Sequence, residues 1–230
     1  MLQPFVKQPN RSLPYAARAA AEDALAPVEA QGTNHRFVAD QALFVEGAEA
    51  HYCYKILSGA VRICQTMPDG RRQVTNFLLA GDMVGFDLEE QHLFTVEAVV
   101  ESIVRRYPKP SLDRLMNESP RAAQQMLSMA VRQLASAQKQ MLVLGCKSAM
   151  ERLAGFLFDQ AGGNTERRAD ACVTLLMNRA DIADHLGLTV ETVSRLFTKL
   201  RRDQIIELST AQCVVIRDWN ALAELCESAT

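Results

Sequence analysis

The chain has 230 residues, of which 48% are hydrophobic and 23% charged, and its formal net charge is −2. This composition indicates a soluble globular protein with one large core or two modest domains, and it excludes binding to nucleic acid through bulk charge alone. No apolar run approaches the roughly 20 residues needed to cross a bilayer, so we expect no membrane association.

Residues 1–28 are rich in Ala and Pro and hold few large aliphatic side chains, which predicts a weakly packed arm. They contain no continuous apolar stretch typical of a secretory signal. The expected location is therefore the cytoplasm.

Residues from about 35 to 108 form short apolar runs, several of which alternate with period two. The tripeptide Pro68-Asp69-Gly70 is typical of a hairpin turn. Regularly spaced glycines separate the runs: Gly59, Gly70, Gly81 and Gly85. This pattern predicts an antiparallel β-roll, which we assign to residues 29–115.

Two helices are predicted after Pro108 and Pro110. Ser111 has the character of an N-cap for a short helix, "LDRLMNE". Ser119-Pro120 then begins a long helix, and residues 116–146 are assigned to it. Its apolar seam repeats in heptads with small residues at one position, which predicts a homodimer interface, the alternative being packing along its own domain. The seam consists of Ala123, Leu127, Ala130, Leu134, Ala137, Met141 and Leu144.

Residues 147–230 change to a mixed pattern. In order, they predict the helix "KSAMERLAGFLFDQA" ended by Gly162-Gly163, the strand "ACVTLLM", the helices "NRADIADHLGL" and "TVETVSRLFTKLRRD", the hairpin "QIIELSTAQCVVIRD" and the helix "WNALAELCES". The whole chain is therefore predicted to be α+β.

The two central helices have the spacing of a helix-turn-helix. The second carries a buried stripe at Val193, Leu196, Phe197 and Leu200. In the first, Ile182, Ala183 and Leu186 form the packing face, and Gly187 lies where a tight turn is needed. Such a unit places its second helix in the DNA major groove, and the hairpin after it suits a wing. The alternative is a helical hairpin without special function.

The polar face of the second helix suits base reading. Arg195 can donate two hydrogen bonds to a guanine, Glu191 can accept from a base amino group, and Ser194 can contact a base edge or a phosphate. A second set is expected to hold the DNA backbone: Thr189, Thr192, Lys199, Arg201, Arg202 and, at the start of the first helix, Arg179.

The six cysteines are widely separated and include no C-x-x-C pair. In a chain without an export signal this predicts reduced thiols, no disulfide framework and no metal site. Three cysteines near the helix-turn-helix are candidates for a redox switch, the alternative for each being a buried, inert thiol. They are Cys146, Cys172 and Cys213.

This order of elements resembles the cyclic-AMP receptor protein/fumarate–nitrate reduction regulator (Crp/Fnr) family of bacterial transcription factors. The resemblance runs from about residue 30 to the end, on "ILSGAVRI", "DGRRQVTNFLLAGDMVGF" and "RADIADHLGLTVETVSRLFTKL". It implies a dimeric regulator, and "ETVSR" at Glu191–Arg195 looks like the fumarate–nitrate branch. By that resemblance the base-reading residues contact TTGA-type inverted half-sites, and RNA polymerase is a partner, with Met83–Leu88 as a contact by analogy.

The sensor differs from those relatives. The first 52 residues contain no cysteine for an iron–sulfur cluster, and no arginine lies between Arg72 and Arg105 to hold a cyclic phosphate. The chain thus resembles the FixK group, regulators of microaerobic and nitrogen-fixation genes, and we expect no cofactor. One alternative is a haem-dependent nitric-oxide regulator with His51 or His92 as ligand. Another is a cupin-like enzyme, although neither an H-x-H pair nor a G-x-S-x-G elbow occurs.

Overall fold

The computed structural model describes residues 31–87, 90–162, 172–210 and 212–227. The predicted arm, residues 1–28, lies outside these ranges. Within them, no helix is both long and apolar enough to cross a bilayer.

The first domain is a roll of two four-stranded antiparallel sheets, in the orders β1-β8-β3-β6 and β2-β7-β4-β5. Apolar side chains from both sheets meet between them, including Ile56, Val61 and Val104. The fold class predicted for this region is thereby confirmed. The strands are β1 (Thr33–Phe37), β2 (Ala42–Phe44), β3 (Tyr52–Ser58), β4 (Ala60–Thr66), β5 (Arg72–Leu79), β6 (Met83–Val84), β7 (Thr95–Ala98) and β8 (Ser102–Pro108).

Two tight turns of the roll depend on glycines that the sequence pattern singled out. Gly70 has a φ of 86° and closes the predicted hairpin between β4 and β5, where the Met67 N–H donates to the Arg71 carbonyl. Gly59 also has a φ of 86°, and a Cβ there would lie 2.3 Å from the Ser102 Oγ. Only glycine satisfies both the conformation and the close approach at that turn.

The short helix α1 spans Lys109–Glu118 and begins earlier than predicted. Ser111 is not its N-cap, because the helix already includes Lys109 and Pro110, and Pro108 occupies the cap position. Proline fits the first turn, where its missing N–H costs no helical hydrogen bond. Residues 116–118 therefore belong to α1 and not to the long helix.

The long helix α2 spans Pro120–Cys146. Its N-cap is Ser119, whose hydroxyl accepts a hydrogen bond from the Ala122 N–H, and Pro120 occupies the first turn as predicted. Ala122 and Met126 are buried against α1 and the roll. One side of α2 is thus fixed to its own domain.

The second domain is a helix-turn-helix unit beside a small sheet. Its helices are α3 (Ala149–Gln160), α4 (Arg179–Leu186), α5 (Val190–Arg202) and α6 (Trp219–Glu227). The predicted hairpin forms from β10 (Ile206–Leu208) and β11 (Cys213–Ile216), and β9 (Cys172–Thr174) pairs with β11 to make a three-stranded sheet. A single apolar cluster, which includes Leu153, Ile182 and Phe197, joins α3, α4 and α5.

The expectation of reduced thiols without a disulfide is wrong for one pair, since Cys172 and Cys213 are disulfide-bonded. They are 41 residues apart in sequence, but β9 and β11 are neighbours and bring their Cα atoms to 5.6 Å. That separation is within the range that a disulfide spans. Strand pairing, which the spacing of cysteines does not reveal, creates the bond.

Candidate DNA-binding interface

The turn between α4 and α5 follows local rules that are visible in the sequence. Gly187 ends α4 with φ 62° and ψ 42°, a left-handed conformation that glycine adopts readily. Thr189 is the N-cap of α5, and its side chain accepts from the Thr192 N–H. Ala183 is buried where the two helices meet. These contacts set the two helices in the arrangement of a helix-turn-helix.

The predicted faces of α5 are largely as observed. Val193, Phe197 and Leu200 are buried, whereas Leu196 is half-buried. Opposite them, the proposed base-reading side chains are all exposed to solvent: Glu191, Ser194 and Arg195. The helix therefore presents a polar face that is free to approach another molecule.

The proposed base-reading residues are in suitable chemical states. Hydrogen bonds from its own backbone N–H and from Thr189 lower the pKa of Glu191, and the charge of Arg195 contributes to the shift. Its carboxylate is therefore an acceptor at neutral pH. The Arg195 guanidinium donates weakly to the Thr192 hydroxyl at 3.4 Å, and the Ser194 hydroxyl donates to the Val190 carbonyl. Both groups keep hydrogen-bonding capacity for a ligand.

The residues expected to hold phosphates divide into two groups. Lys199, Arg201 and Arg202 are exposed around the last turn of α5, where they form a basic end. Arg179 is different, because its guanidinium lies 3.4 Å from the centre of the Phe197 ring and burial lowers its pKa. Arg179 covers the apolar cluster and is not simply solvated.

The seam of α2 carries a row of exposed apolar side chains. Leu127, Leu134 and Met141 have 64%, 59% and 73% of their surface exposed. Ala130 and Ala137 are also exposed, whereas Ala123 and Leu144 are half-buried. Val131 and Leu142, which the heptad analysis omitted, extend the same apolar surface. An exposed apolar surface of this kind is typical of an interface.

Several residues that hold the helix-turn-helix against the rest of the chain were missed. On the side of the roll, Gln73 donates to the Asp184 carbonyl and the His185 Nδ1 lies 3.0 Å from the Val74 carbonyl oxygen. On the side of the long helix, Arg152 donates to the carbonyls of Leu144, Lys147 and Leu186. The sequence signal that could have identified residues of this kind is a polar side chain inside an otherwise apolar segment, such as Arg62 in "AVRIC".

A cavity and a groove of the roll are relevant to whether the protein binds a small effector molecule. A cavity of about 110 Å³ between the roll and α2 is lined by Asp82, Met129 and Gln133, and Gln133 donates to the Met83 carbonyl beside it. Ligand pockets usually exceed about 300 Å³. A groove of about 1200 Å³ lies at the other end of the roll, and it is bordered by His51 and by seam residues such as Leu127.

The two histidines considered as haem ligands differ in their surroundings. His92 is buried, its Nδ1 lies 2.6 Å from the Asp87 Oδ2, and its ring stacks on Phe44. His51 is exposed, lies 2.7 Å from the Glu49 carboxylate and borders the large groove. The haem alternative therefore depends on His51.

Two other expectations concern accessible surface. The segment suggested as a polymerase contact offers little of it, since Met83, Val84 and Gly85 are buried, and Leu88 lies outside the described residues. Among the redox candidates, Cys146 is exposed at the end of α2. Within the described residues no three potential metal-ligating side chains cluster.

Comparison with known families matches both domains. Residues 151–225 match the Crp-like helix-turn-helix domain, and residues 34–119 match the cyclic nucleotide-binding domain. The second match covers the strands of the roll.

The similarity to individual proteins extends over most of the chain. It is 38% identical over 221 residues to the nitrogen fixation regulation protein FixK of Azorhizobium caulinodans, covering 94% of this chain and 89% of that relative. It is 40% identical over 187 residues to FixK of Rhizobium meliloti, covering 80% and 82%. The solved structure of FixK2 from Bradyrhizobium japonicum has a TM-score of 0.80 at 34% identity, covering 86% of this chain and 99% of that one. These relatives are regulators, which confirms the expectation that the chain is not an enzyme.

Proposed function

Because the chain belongs to the Crp/Fnr family of transcription regulators, in which it is similar to FixK proteins, we propose that it is a homodimeric activator that reads an inverted TTGA-type repeat. It acts in the cytoplasm on genes of oxygen-limited respiration or nitrogen fixation. The observation that carries this proposal is the exposed polar face of α5, with Glu191, Ser194 and Arg195 free to reach base edges.

Recognition divides between base edges and phosphates. Arg195 donates two hydrogen bonds to a guanine, and the Glu191 carboxylate accepts from a cytosine or adenine amino group. The basic end of α5, with Lys199, Arg201 and Arg202, contacts the phosphates and supplies most of the affinity. Thr189 and Thr192 add hydroxyl contacts beside the cap, and Ser194 contributes at the base edge.

Dimerisation through α2 matches the two-fold symmetry of an inverted repeat. Two copies that pair along the seam bury the exposed Leu127, Leu134 and Met141 and present two α5 helices to one face of the DNA. Half-sites one helical turn apart, about 34 Å, place both helices in successive major grooves. The small residues of the seam allow the paired helices to approach closely.

The activity proposed here requires neither cyclic AMP nor an N-terminal iron–sulfur cluster. No cysteine precedes Cys53 and no arginine lies between Arg72 and Arg105, so neither ligand has its usual partners. The narrow cavity between roll and α2 supports the same inference. Activation then proceeds through RNA polymerase, and the contact does not involve Met83, Val84 and Gly85, which are buried.

The experiment is a DNA-binding titration with freshly purified protein, in air and without added ligand. Affinity for an inverted TTGA-type site is compared with affinity for a scrambled site at several salt concentrations. We expect selectivity of about a thousandfold or more and an affinity that falls steeply as salt rises.

Equal affinity for the two sites would remove the claim that α5 reads bases. Weak binding that recovers with reductant would assign control to a thiol. Weak binding that recovers only with haem would favour the haem-dependent alternative and its candidate ligand, His51.

A further inference from the structure

A buried arginine of the roll is bonded to the helix-turn-helix. The guanidinium of Arg62, on β4, donates to Asp40 at 2.8 Å, to Glu97 at 2.8 Å and to Asp181 at 2.9 Å. Asp181 lies in the first turn of α4, so this last bond joins the two domains. Only 4% of the Arg62 side chain and 1% of the Asp181 side chain are exposed.

A second arginine completes the cluster. Arg72, on β5, donates to Asp181 at 2.8 Å and to Asp184 at 2.8 Å. One oxygen of Asp181 therefore accepts from both arginines, while its other oxygen is buried without a hydrogen-bond partner among the described residues. Both arginines that pair with Asp181 belong to the roll.

We propose that Arg62, acting through Asp181, is the positioning residue that sets where the recognition helix α5 lies relative to the dimer axis. This inference rests on the proposed function, since a position relative to DNA matters only for a DNA-binding dimer. The known chemistry of base reading does not assign Arg62 any role.

The charge cluster fixes the relative orientation of the two domains, which the apolar contact between them does not. Phe77 of the roll packs near Phe156 and His185, with ring centres 6.4 and 5.1 Å away. Apolar contact is non-directional and tolerates sliding, whereas guanidinium–carboxylate bonds fix distance and angle. Burial alone would lower the pKa of Arg62, but its bonds to Asp40 and Glu97 raise it, so the cation persists at any working pH.

Loss of Arg62 is transmitted to α5 through packed elements. Without it, the buried Asp181 loses one of its two cations, and a buried carboxylate with insufficient compensation is strongly disfavoured. Undocking of α4 exposes Asp181 to water and relieves that cost. Ile182, Ala183 and Leu186 of α4 pack with α5 in one cluster, so the two helices move together.

The consequence for DNA binding is a change in tolerated half-site spacing. A rigidly docked unit presents two α5 helices at one separation and so prefers one spacer length. A loosened unit accepts neighbouring spacers, while base preference within each half-site stays the same because α5 itself is unaltered.

The test measures the affinities of full-length protein for inverted sites whose spacers differ by one and two base pairs. Arg62→Gln and Asp181→Asn are each expected to reduce the preference for the best spacer on the order of tenfold. The double variant is expected to reduce this preference no further than either single variant does, because the two residues act as one unit. Arg36→Gln is the matched control, because Arg36 pairs with Glu101 on the same roll at an exposed site, 68% and 57% exposed. This control is expected to keep the wild-type preference.

Amide hydrogen exchange of the same proteins without DNA gives a second readout. Arg62→Gln should speed exchange in α4 and β5, and Arg36→Gln should not. If Arg62→Gln does not fold, Arg62→Lys takes its place, because lysine keeps the charge but reaches fewer carboxylates. Its effect is expected to be intermediate between those of the wild type and Arg62→Gln.

The outcomes separate the two proposals. If the wild type does not distinguish the inverted site from a scrambled one, the proposed function fails, and faster exchange in α4 still supports the domain contact. An unchanged spacer preference with unchanged exchange overturns the role of Arg62. Equal weakening on every spacer also overturns it, since that reports general destabilisation.

Discussion

Individual side chains decide which DNA sequence α5 can select. Arg195 is exposed and its hydrogen bond to the Thr192 hydroxyl is long, at 3.4 Å, so little has to be broken before it meets a base. Glu191 is ionised one turn earlier on the same helix. A carboxylate near phosphates is unfavourable, and the proposed hydrogen bond from a base amino group to Glu191 would offset that cost.

Replacing Arg195 with Ala is expected to cost about 1–3 kcal/mol on the inverted site and to relax selection at one guanine, because a bidentate contact is lost. Titrations against sites that carry each base at that position measure both effects. Arg201→Ala is the matched control, since a lost phosphate contact weakens binding to all sequences and reduces the salt dependence. Equal losses on cognate and scrambled DNA for Arg195→Ala would contradict base reading.

Elements with strong local signals were predicted well, and those without them were not. The start of α2 at Ser119-Pro120 and the glycine turn at Gly187 depend on neighbouring residues and were found in place. Ser111 failed as a cap because Pro108 and Pro110 allow the helix to begin earlier. The role of the α2 seam stays a prediction, since it depends on a second copy of the chain.

Replacing Leu134 with Glu is expected to convert the dimer to monomer, because two carboxylates would then be buried near each other across the seam. Sedimentation velocity measures the mass, and DNA titration should show weaker binding. Ser128→Glu adds the same charge at an exposed position away from the seam and is expected to leave the dimer intact. A Leu134→Glu protein that stays dimeric would place the interface elsewhere.

The small sheet predicts a definite thiol count. Of the six cysteines, four are free and Cys172 is bonded to Cys213. Protein denatured without reductant should therefore show four reactive thiols, and reduction should raise the count to six. Cys172→Ser should show five without reductant, because Cys213 is released. Six thiols in air-exposed wild type would contradict the bond.

At the scale of the molecule, His185 lies where roll, α3 and helix-turn-helix meet. Its ring lies 5.1 Å from that of Phe77 and 5.9 Å from that of Phe156, measured between centres. Burial lowers the pKa of His185, although its bond to the Val74 carbonyl and the charge of Asp159 oppose the shift. The native state therefore favours the neutral ring.

The free energy of unfolding is expected to decrease as the pH is lowered, because His185 is harder to protonate in the native state than in the unfolded chain. Below its ordinary pKa of 6.5 the unfolded chain takes up a proton that the native state excludes, so stability drops until the lowered native pKa is reached. The slope from this one group is at most about 1.4 kcal/mol per pH unit. Thermal unfolding between pH 7.5 and 5.5 measures it. His185→Asn keeps a donor without titrating and should show a shallower loss, and parallel profiles would contradict the assignment.

The sequence alone determined the order of elements, the helix-turn-helix and the face of α5, because periodicity, caps and turns arise from residues close together in the chain. The tertiary structure decided what distant residues do. Arg62 and Asp181 are 119 residues apart, and Cys172 and Cys213 are 41 apart, yet each pair is bonded. Such contacts depend on how strands and domains pack, and the spacing of residues along the chain does not predict that packing.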